Sequence, residues 1–417
     1  MLIFPKFSAE KIFIHGMKYH MQKRKLNIAF NIDHFMPHRG GAERYLLNLV
    51  VYLLQHGHTV HVFAMDGDNT VENPHFHFHK IPVLSWFRWL KSLLFIVNSS
   101  RSINRYQFDI VHVLGKNLTM NVFQPHGGSH RAWFKQNCLS ISEKKYVRWI
   151  YAVARLLDAK LLLFFIVESL QLRKKKLPRI LAISQRVADD LRTLYDIPPS
   201  AITVIENGID CKRFSLNVRT LHRTAIRQAY GLANKKVMLF VGNNFRLKGL
   251  RYFLLVLRKI STRRTDIAAV IIGSGNYKKF QRYARRYGVD NYCVFISQTE
   301  GMEQYYGAAD VLVLPTFYDP FGLVVPEALA CGLPVITTRF CGASNIIRQG
   351  ITGELVDMPF DVDGMAACAE KFLYEIDSHT CAQEANKSIQ CYDNTLIFAK
   401  ILEYYHSILD ENGVSVP

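Results

Sequence analysis

The sequence predicts an α/β protein made of two doubly wound parallel-sheet domains. Two observations predict it. An apolar strand, a Gly-bearing loop, a helix and a second apolar strand follow one another at 26–63 and again at 311–336, the alternation that builds parallel sheets. The chain has 417 residues, enough for two such units, and a strand pattern restarts at 236–242 after a turn at Asn207-Gly208.

Composition narrows the function classes. There are 52 Lys+Arg against 34 Asp+Glu, a formal net charge of +18, which suits an anionic partner: a phosphorylated substrate, a membrane surface or nucleic acid. The last is set aside because no recognition motif accompanies the charge. Eight cysteines are scattered without a Cys-x-x-Cys pair, so neither a disulfide frame nor a zinc site is readable and a reduced cytosol fits.

Residues 1–25 read as a variable leader. Their apolar patches at 2–4 and 11–14 lack signal-peptide length, and Met17 and Met21 offer alternative starts. The first strand is 26–32. It leads into His38-Arg39-Gly40-Gly41-Ala42-Glu43-Arg44, a helix over 45–55 and a strand at 59–63, an arrangement able to cradle phosphate. His75, His77 and His79 alternate on one strand face and are read as unliganded. Asp66-Gly67-Asp68 has the form of a metal motif but lacks the surroundings of one, and it is set aside.

A strand at 108–113 and a further one at 120–123 precede Gln124-Pro125-His126-Gly127-Gly128-Ser129-His130. A histidine on a glycine-rich loop after a strand is a candidate site residue, which singles out His126 ahead of His130. Residues 146–172 carry apolar side chains at helical spacing, with Arg148, Arg155 and Asp158 roughly opposite, and end in Arg173-Lys174-Lys175-Lys176. The apolar run is too short and too interrupted by charge to span a bilayer. A basic amphipathic helix lying on an anionic membrane through residues 146–179 is the favoured reading, against a packed helix pair with a solvated basic end.

In the second half the strand at 236–242 runs into Asn243-Asn244-Phe245-Arg246-Leu247-Lys248-Gly249 and a helix at 250–260. Cations on a Gly-bounded loop before a helix suit a diphosphate. The strand 311–314 leads into Thr316 to Pro334, where Asp319 and Glu327 stand eight positions apart around Gly322 and a short helix. Carboxylates accept hydrogen bonds from sugar hydroxyls, and glycine lets backbone amides approach phosphate. A nucleotide-sugar carries both kinds of group. A final amphipathic helix covers 394–409.

The stretch 316–334 resembles the Glu-x7-Glu signature of the family 4 retaining glycosyltransferases, with Asp319 in the place of the first Glu. Gly40-Gly41-Ala42-Glu43-Arg44 resembles the N-terminal loop of that family, and Glu206-Asn207-Gly208-Ile209-Asp210 its interdomain linker, with Glu206 in place of Pro. The resemblance runs from about 26 to 405. Val241-Gly242-x-x-Phe245-x-x-Lys248-Gly249 and Leu333 to Gly342 look most like bacterial enzymes that glucosylate the lipopolysaccharide core.

The resemblance implies the GT-B fold, two Rossmann-like domains facing a cleft. Residues 26–205, completed by the helix 394–409, form the acceptor-side domain, and 206–390 the nucleotide-sugar domain. It implies Lys248, Asp319 and His126 as catalytic residues. It implies Gly40, Gly41, Arg246, Phe321, Gly322, Leu323 and Glu327 as substrate-binding residues, with Asn243 standing where the family has Arg. It implies no cofactor and no required metal. The expected activity is transfer of a hexose, best glucose from UDP-glucose, to a lipopolysaccharide-core or other lipid-linked glycan, at the inner face of the cell membrane. GDP-mannose or UDP-N-acetylglucosamine are alternative donors. A sugar-nucleotide epimerase or a phosphorylase on the same scaffold is the alternative of another class.

Overall fold

The computed structural model describes residues 24–36, 40–67, 71–173, 177–297 and 299–411. All but the last two leader residues, with Met17 and Met21, lie outside the described residues, as do His38, Arg39, Asp68 and the three lysines 174–176. The first half supplies strands β1 (Asn27–Asn31), β2 (His34–Phe35), β3 (Thr59–Ala64), β4 (Asp66–Gly67), β5 (Phe76–Lys80), β6 (Ile110–Val113), β7 (Val122–Phe123), β8 (Arg179–Ala182) and β9 (Ile202–Val204). The second supplies β10 (Lys236–Val241), β11 (Ile267–Gly273), β12 (Cys293–Ser297), β13 (Val311–Leu314), β14 (Val335–Thr338) and β15 (Gly353–Val356).

These strands form two main sheets, ordered β5-β3-β1-β6-β7-β8-β9 and β12-β11-β10-β13-β14-β15. Every pairing in both is parallel. Parallel strands are covered on both faces, so their central residues must be apolar throughout. Val237, Met238, Leu239 and Phe240 of β10 and Val311 to Leu314 of β13 satisfy this and are buried. The edge strand β5 does not, and its Phe76 and Phe78 stay half-buried.

Helices cover the sheets by the same logic. In the helix Gly41–Gln55, Leu46, Leu49, Val50 and Leu53 recur at helical spacing and are fully buried. Each such side chain contributes about 1.5–3 kcal/mol. The helix Asn394–Glu411 joins the same core through Ile397, Phe398, Ile401, Tyr405 and Ile408. Phe398 packs edge-on against Tyr45 at 5.7 Å, and Tyr405 Oη lies 2.5 Å from His112 Nδ1. The chain's last helix therefore braces the first sheet.

The region read as one amphipathic run is two helices, Lys145–Leu156 and Ala159–Leu172. Asp158 breaks it: its Oδ1 accepts from the backbone N–H of Lys160 at 2.9 Å and of Leu161 at 3.3 Å, capping the second helix. The first helix buries none of its residues, whereas the second buries Leu161, Val167, Glu168, Gln171 and Leu172. Tyr146, Trp149, Ile150 and Leu157 remain exposed. Among the described residues no helix is long and apolar enough to cross a membrane.

All strands run the same way, but the order in which the chain adds them reverses between β1 and β6 and between β10 and β13. In open α/β sheets ligands bind outside the carboxyl ends of the strands at such switch points. The loops carrying Gly40-Gly41, His126, Lys248 and Asp319 all leave carboxyl ends of strands or follow them closely.

Candidate functional site

Two glycines set the loops of the second domain. Gly249, at φ +79°, ends the loop after β10, and a Cβ there would sit 1.9 Å from the Pro315 carbonyl oxygen. Gly322 has φ +88°, and a Cβ there would lie 2.6 Å from Cys341 Sγ and 3.2 Å from Asp319 Oδ2. Both positions need a residue without a side chain. The loop after β13 is also tied by its backbone, Asp319 N–H to the Phe340 carbonyl at 3.0 Å and Gly342 N–H to the Asp319 carbonyl at 2.8 Å.

These loops wall a cleft of about 370 Å³. The first domain contributes Gly40, Gly41, Arg44 and His126. The second contributes Lys248, Asp319, Phe321, Gly322, Leu323 and Glu327. The two sides touch where Gly41 meets Leu323: a Cβ on Gly41 would stand 2.8 Å from Leu323 Cδ1. Gly40 caps the helix Gly41–Gln55 without a side-chain bond, leaving first-turn amides to face an anion.

The two carboxylates differ in setting. Lys248 Nζ donates to Asp319 Oδ2, and both side chains are largely buried. Glu327 instead accepts from the Tyr306 hydroxyl at 2.8 Å. Burial pushes its carboxyl up to about 7, against the opposing pull of the Tyr306 hydrogen bond, Arg44 and Arg213. Arg213 is held by Glu303, Nε to Oε2 at 2.9 Å. The cleft thus has a paired lysine–aspartate at one wall and a carboxyl able to change charge near neutrality at another.

His126 follows β7, with its ring 4.5 Å from that of Tyr45. Burial lowers its pKa to about 3, so the imidazole is neutral at physiological pH. Its buried Nε2 has no hydrogen-bond partner among the described residues, which leaves it available to a ligand atom. His130 does not line this cleft. Its backbone N–H donates to Glu168 Oε1 at 2.8 Å, and its ring packs on Phe164 at 4.8 Å, in a separate groove.

Arg246 departs from its expected place. It does not line the cleft; it reaches across to the first domain. Its guanidinium donates to Asn137 Oδ1 at 2.7 Å, to the Asn137 carbonyl at 3.3 Å and to Ser140 Oγ at 3.1 Å. Asn244 adopts a left-handed φ of 59° within this loop, and the next two side chains are turned from the cleft: Phe245 is buried in the core and Arg246 bonds the helix His130–Leu139. Asn243 stays at the cleft, where its Oδ1 accepts from the backbone N–H and hydroxyl of Ser274 at 2.9 and 2.8 Å. Arg44 and Tyr306 also line the cleft. The sequence marks Arg44 only by its place in the Gly-Gly loop and gives Tyr306 no mark beyond its helix.

Residues 39–213 match the family model Glycosyltransferase Family 4, and 222–388 match Glycosyl transferases group 1. An uncharacterized glycosyltransferase of Methanocaldococcus jannaschii is 29% identical over 199 residues, 47% of this chain and 50% of the relative. D-inositol 3-phosphate glycosyltransferase 2 of Catenulispora acidiphila is 32% identical over 43% of this chain and 44% of its own. The lipopolysaccharide glucosyltransferase WaaG of Escherichia coli is 25% identical over 48% and 54%. The chain spans about half the length of these curated relatives. Among solved structures, WaaG superposes with TM-score 0.76 at 20% identity, covering 91% of this chain and 99% of that one. Anabaena HepE in complex with UDP and glucose gives 0.69 at 19%, covering 92% and 100%. At this identity the likeness establishes the GT-B fold.

Proposed function

Since the chain belongs to the glycosyltransferases, with a family 4 domain followed by a group 1 domain, we propose that it transfers a hexose from a nucleotide-sugar to an acceptor hydroxyl with retention at the anomeric carbon. The observation that carries this reading is the single cleft in which Lys248, Asp319 and Glu327 of one domain face His126 and the Gly40-Gly41 loop of the other. UDP-glucose is the favoured donor and a lipid-linked glycan of the lipopolysaccharide-core type the favoured acceptor. The likeness to WaaG and to HepE with UDP and glucose supports that choice. Relatives named D-inositol 3-phosphate glycosyltransferase favour a second reading, in which the acceptor is a phosphorylated polyol.

In this reading Glu327 accepts hydrogen bonds from the ribose, and the Gly322-Leu323 amides approach the diphosphate. Departure of the nucleotide diphosphate concentrates negative charge, which fixed donors stabilise in the transition state. Lys248, the first-turn amides at Gly41 and the Arg44 guanidinium meet that charge from both sides. Lys248 therefore exchanges Asp319 for the diphosphate, and Asp319 is released toward the sugar hydroxyls. His126 Nε2 faces the sugar, and the leaving phosphate takes the acceptor proton on the same face. The enzyme works at the inner membrane face, held by the basic helix pair 145–172.

Calorimetric titration with UDP, GDP and ADP tests the reading. UDP is expected to bind most tightly, and Lys248→Ala to weaken it about 100-fold, the loss of a buried charge-assisted contact. Preferential GDP binding would move the donor to the GDP-mannose class. No nucleotide binding would remove the transferase reading.

A further inference from the structure

A second cavity opens beside the cleft. It measures about 590 Å³ and is reached across one peptide bond, since His126 lines the cleft and Gly127 lines the cavity. Three of the chain's four tryptophans, Trp86, Trp89 and Trp133, line it together with Phe87 and Phe164. Aromatic rings offer flat apolar faces that pack against the C–H faces of pyranose rings, while hydroxyl edges stay hydrated.

Charge is the second observation. Arg88, Arg155 and Lys160 line the groove, and among the described residues Asp158 is the carboxylate that lines it. Asp158 is already engaged: Arg155 donates to its Oδ2 at 2.8 Å, and its Oδ1 caps the helix Ala159–Leu172. Lys160 Nζ stands 5.2 Å from the Phe164 ring centroid, and Lys116 Nζ stands 6.0 Å from the same centroid. The groove therefore carries net positive charge beside apolar faces. A hydrocarbon chain seated there would cover Arg88 and Lys160 without supplying a counter-charge. An anionic sugar satisfies both features.

One wall, the side that carries His130 and Trp133, is braced from within. Glu168, 1% exposed, accepts from His130 N–H at 2.8 Å and from the Tyr195 hydroxyl at 2.6 Å, with Lys116 Nζ 3.9 Å away. This network fixes the start of the helix His130–Leu139 and so the segment from His126 to Trp133 that borders both cavities. The imidazole of His130 is driven well below its usual pKa by burial and by Lys116 and Lys160.

We propose that this groove is the acceptor subsite and that it takes an anionic saccharide, sugar rings against Trp86, Trp89 and Trp133 and the phosphate or carboxylate at Arg88 and Lys160. The inference rests on the glycosyltransferase reading of the adjoining cleft and adds the chemical class of the acceptor.

Saturation-transfer NMR tests it on the full chain with saturating UDP present, so that the donor cleft is filled. The probes are glucose 6-phosphate, glucose and inorganic phosphate. Irradiation of aromatic protons is expected to saturate the ring protons of glucose 6-phosphate strongly and those of glucose weakly, with inorganic phosphate competing only at much higher concentration. Trp86→Ala, at a fully exposed position, and Lys160→Gln should each weaken the signal about tenfold while leaving UDP affinity unchanged. Glucose 6-phosphate giving no more saturation than glucose, with UDP still bound, overturns the subsite and leaves the donor reading standing. Saturation equal in wild type and both variants places the sugar elsewhere and overturns it too. Loss of vesicle binding in Trp86→Ala, without any sugar-phosphate signal, makes the groove a membrane contact instead. Failure of UDP itself to bind removes the donor reading, and the subsite with it.

Discussion

Glu327 is the residue where structure and chemistry pull hardest against each other. Burial raises its carboxyl to about 7, yet holding ribose hydroxyls calls for the charged form. UDP affinity should therefore fall as pH drops from about 8 to about 6, by up to about tenfold per unit below the pKa, and Glu327→Gln should flatten that profile. Calorimetry across the range checks it; a wild-type affinity indifferent to pH would show that Glu327 does not hold the nucleotide in its ionised form. The same shift has a stability side. A carboxyl whose folded pKa is raised favours folding at low pH and loses that contribution as pH rises from the ordinary carboxylate value through 7. Glu327→Gln should then be more stable than wild type at pH 8, by at most about 3 kcal/mol and read as a higher unfolding temperature, with the difference vanishing near pH 4. Asp319 and Glu327 are legible in sequence because a strand, a glycine turn and a short helix fix their separation. Tyr306 is not, because its bond to Glu327 joins two helices that only the folded sheet brings together.

The loop Asn243 to Gly249 shows how an element divides its labour. Lys248 turns into the cleft, while Arg246, two residues earlier, bonds Asn137 and Ser140 of the first domain. Its guanidinium also stands 5.7 Å from the Tyr151 ring. Tyr252, on the helix that follows, adds a second tie by donating to Glu143 Oε1 at 3.0 Å. Arg246→Ala should thus leave UDP affinity within about twofold, unlike Lys248→Ala, but lower stability by about 1–3 kcal/mol because Asn137 loses its charged donor. Calorimetry and thermal unfolding separate the two outcomes, and a loss of UDP affinity rivalling that of Lys248→Ala would return Arg246 to the phosphate site. Cations spaced along a loop are readable in sequence; which way each side chain turns is not, since a single left-handed residue such as Asn244 redirects those after it. The two α/β sheets were readable for the opposite reason. Their central strands, such as β10 and β13, are continuous apolar runs whose burial leaves one solution, whereas short β7 is the tail of a longer predicted segment.

At the scale of the whole molecule, charge and apolar surface coincide. The chain carries a formal +18, and the helix Lys145–Leu156 presents Trp149, 68% exposed, and Ile150, 57% exposed, beside Lys145 and Arg148. A face of this kind gains little from water and much from a headgroup layer, where each nearby cation adds about 1 kcal/mol on anionic lipid. It lies next to the tryptophan groove, because Arg155 belongs to this helix and lines that cavity. Membrane attachment and acceptor capture would then occur on one side of the first domain, with the donor cleft behind them. Sedimentation with vesicles of phosphatidylglycerol and phosphatidylcholine should carry the protein down, whereas pure phosphatidylcholine should not, and raising salt from about 0.05 to 0.5 M should release it. Trp149→Ser with Ile150→Ser should weaken the binding about tenfold while changing thermal stability by less than about 0.5 kcal/mol for each substitution, since neither side chain is part of the core. Equal partition of wild type and double variant would mean that charge alone holds the protein there. Absence of binding to the anionic vesicles would make the exposed helix a protein-docking face and separate this fold from the membrane altogether.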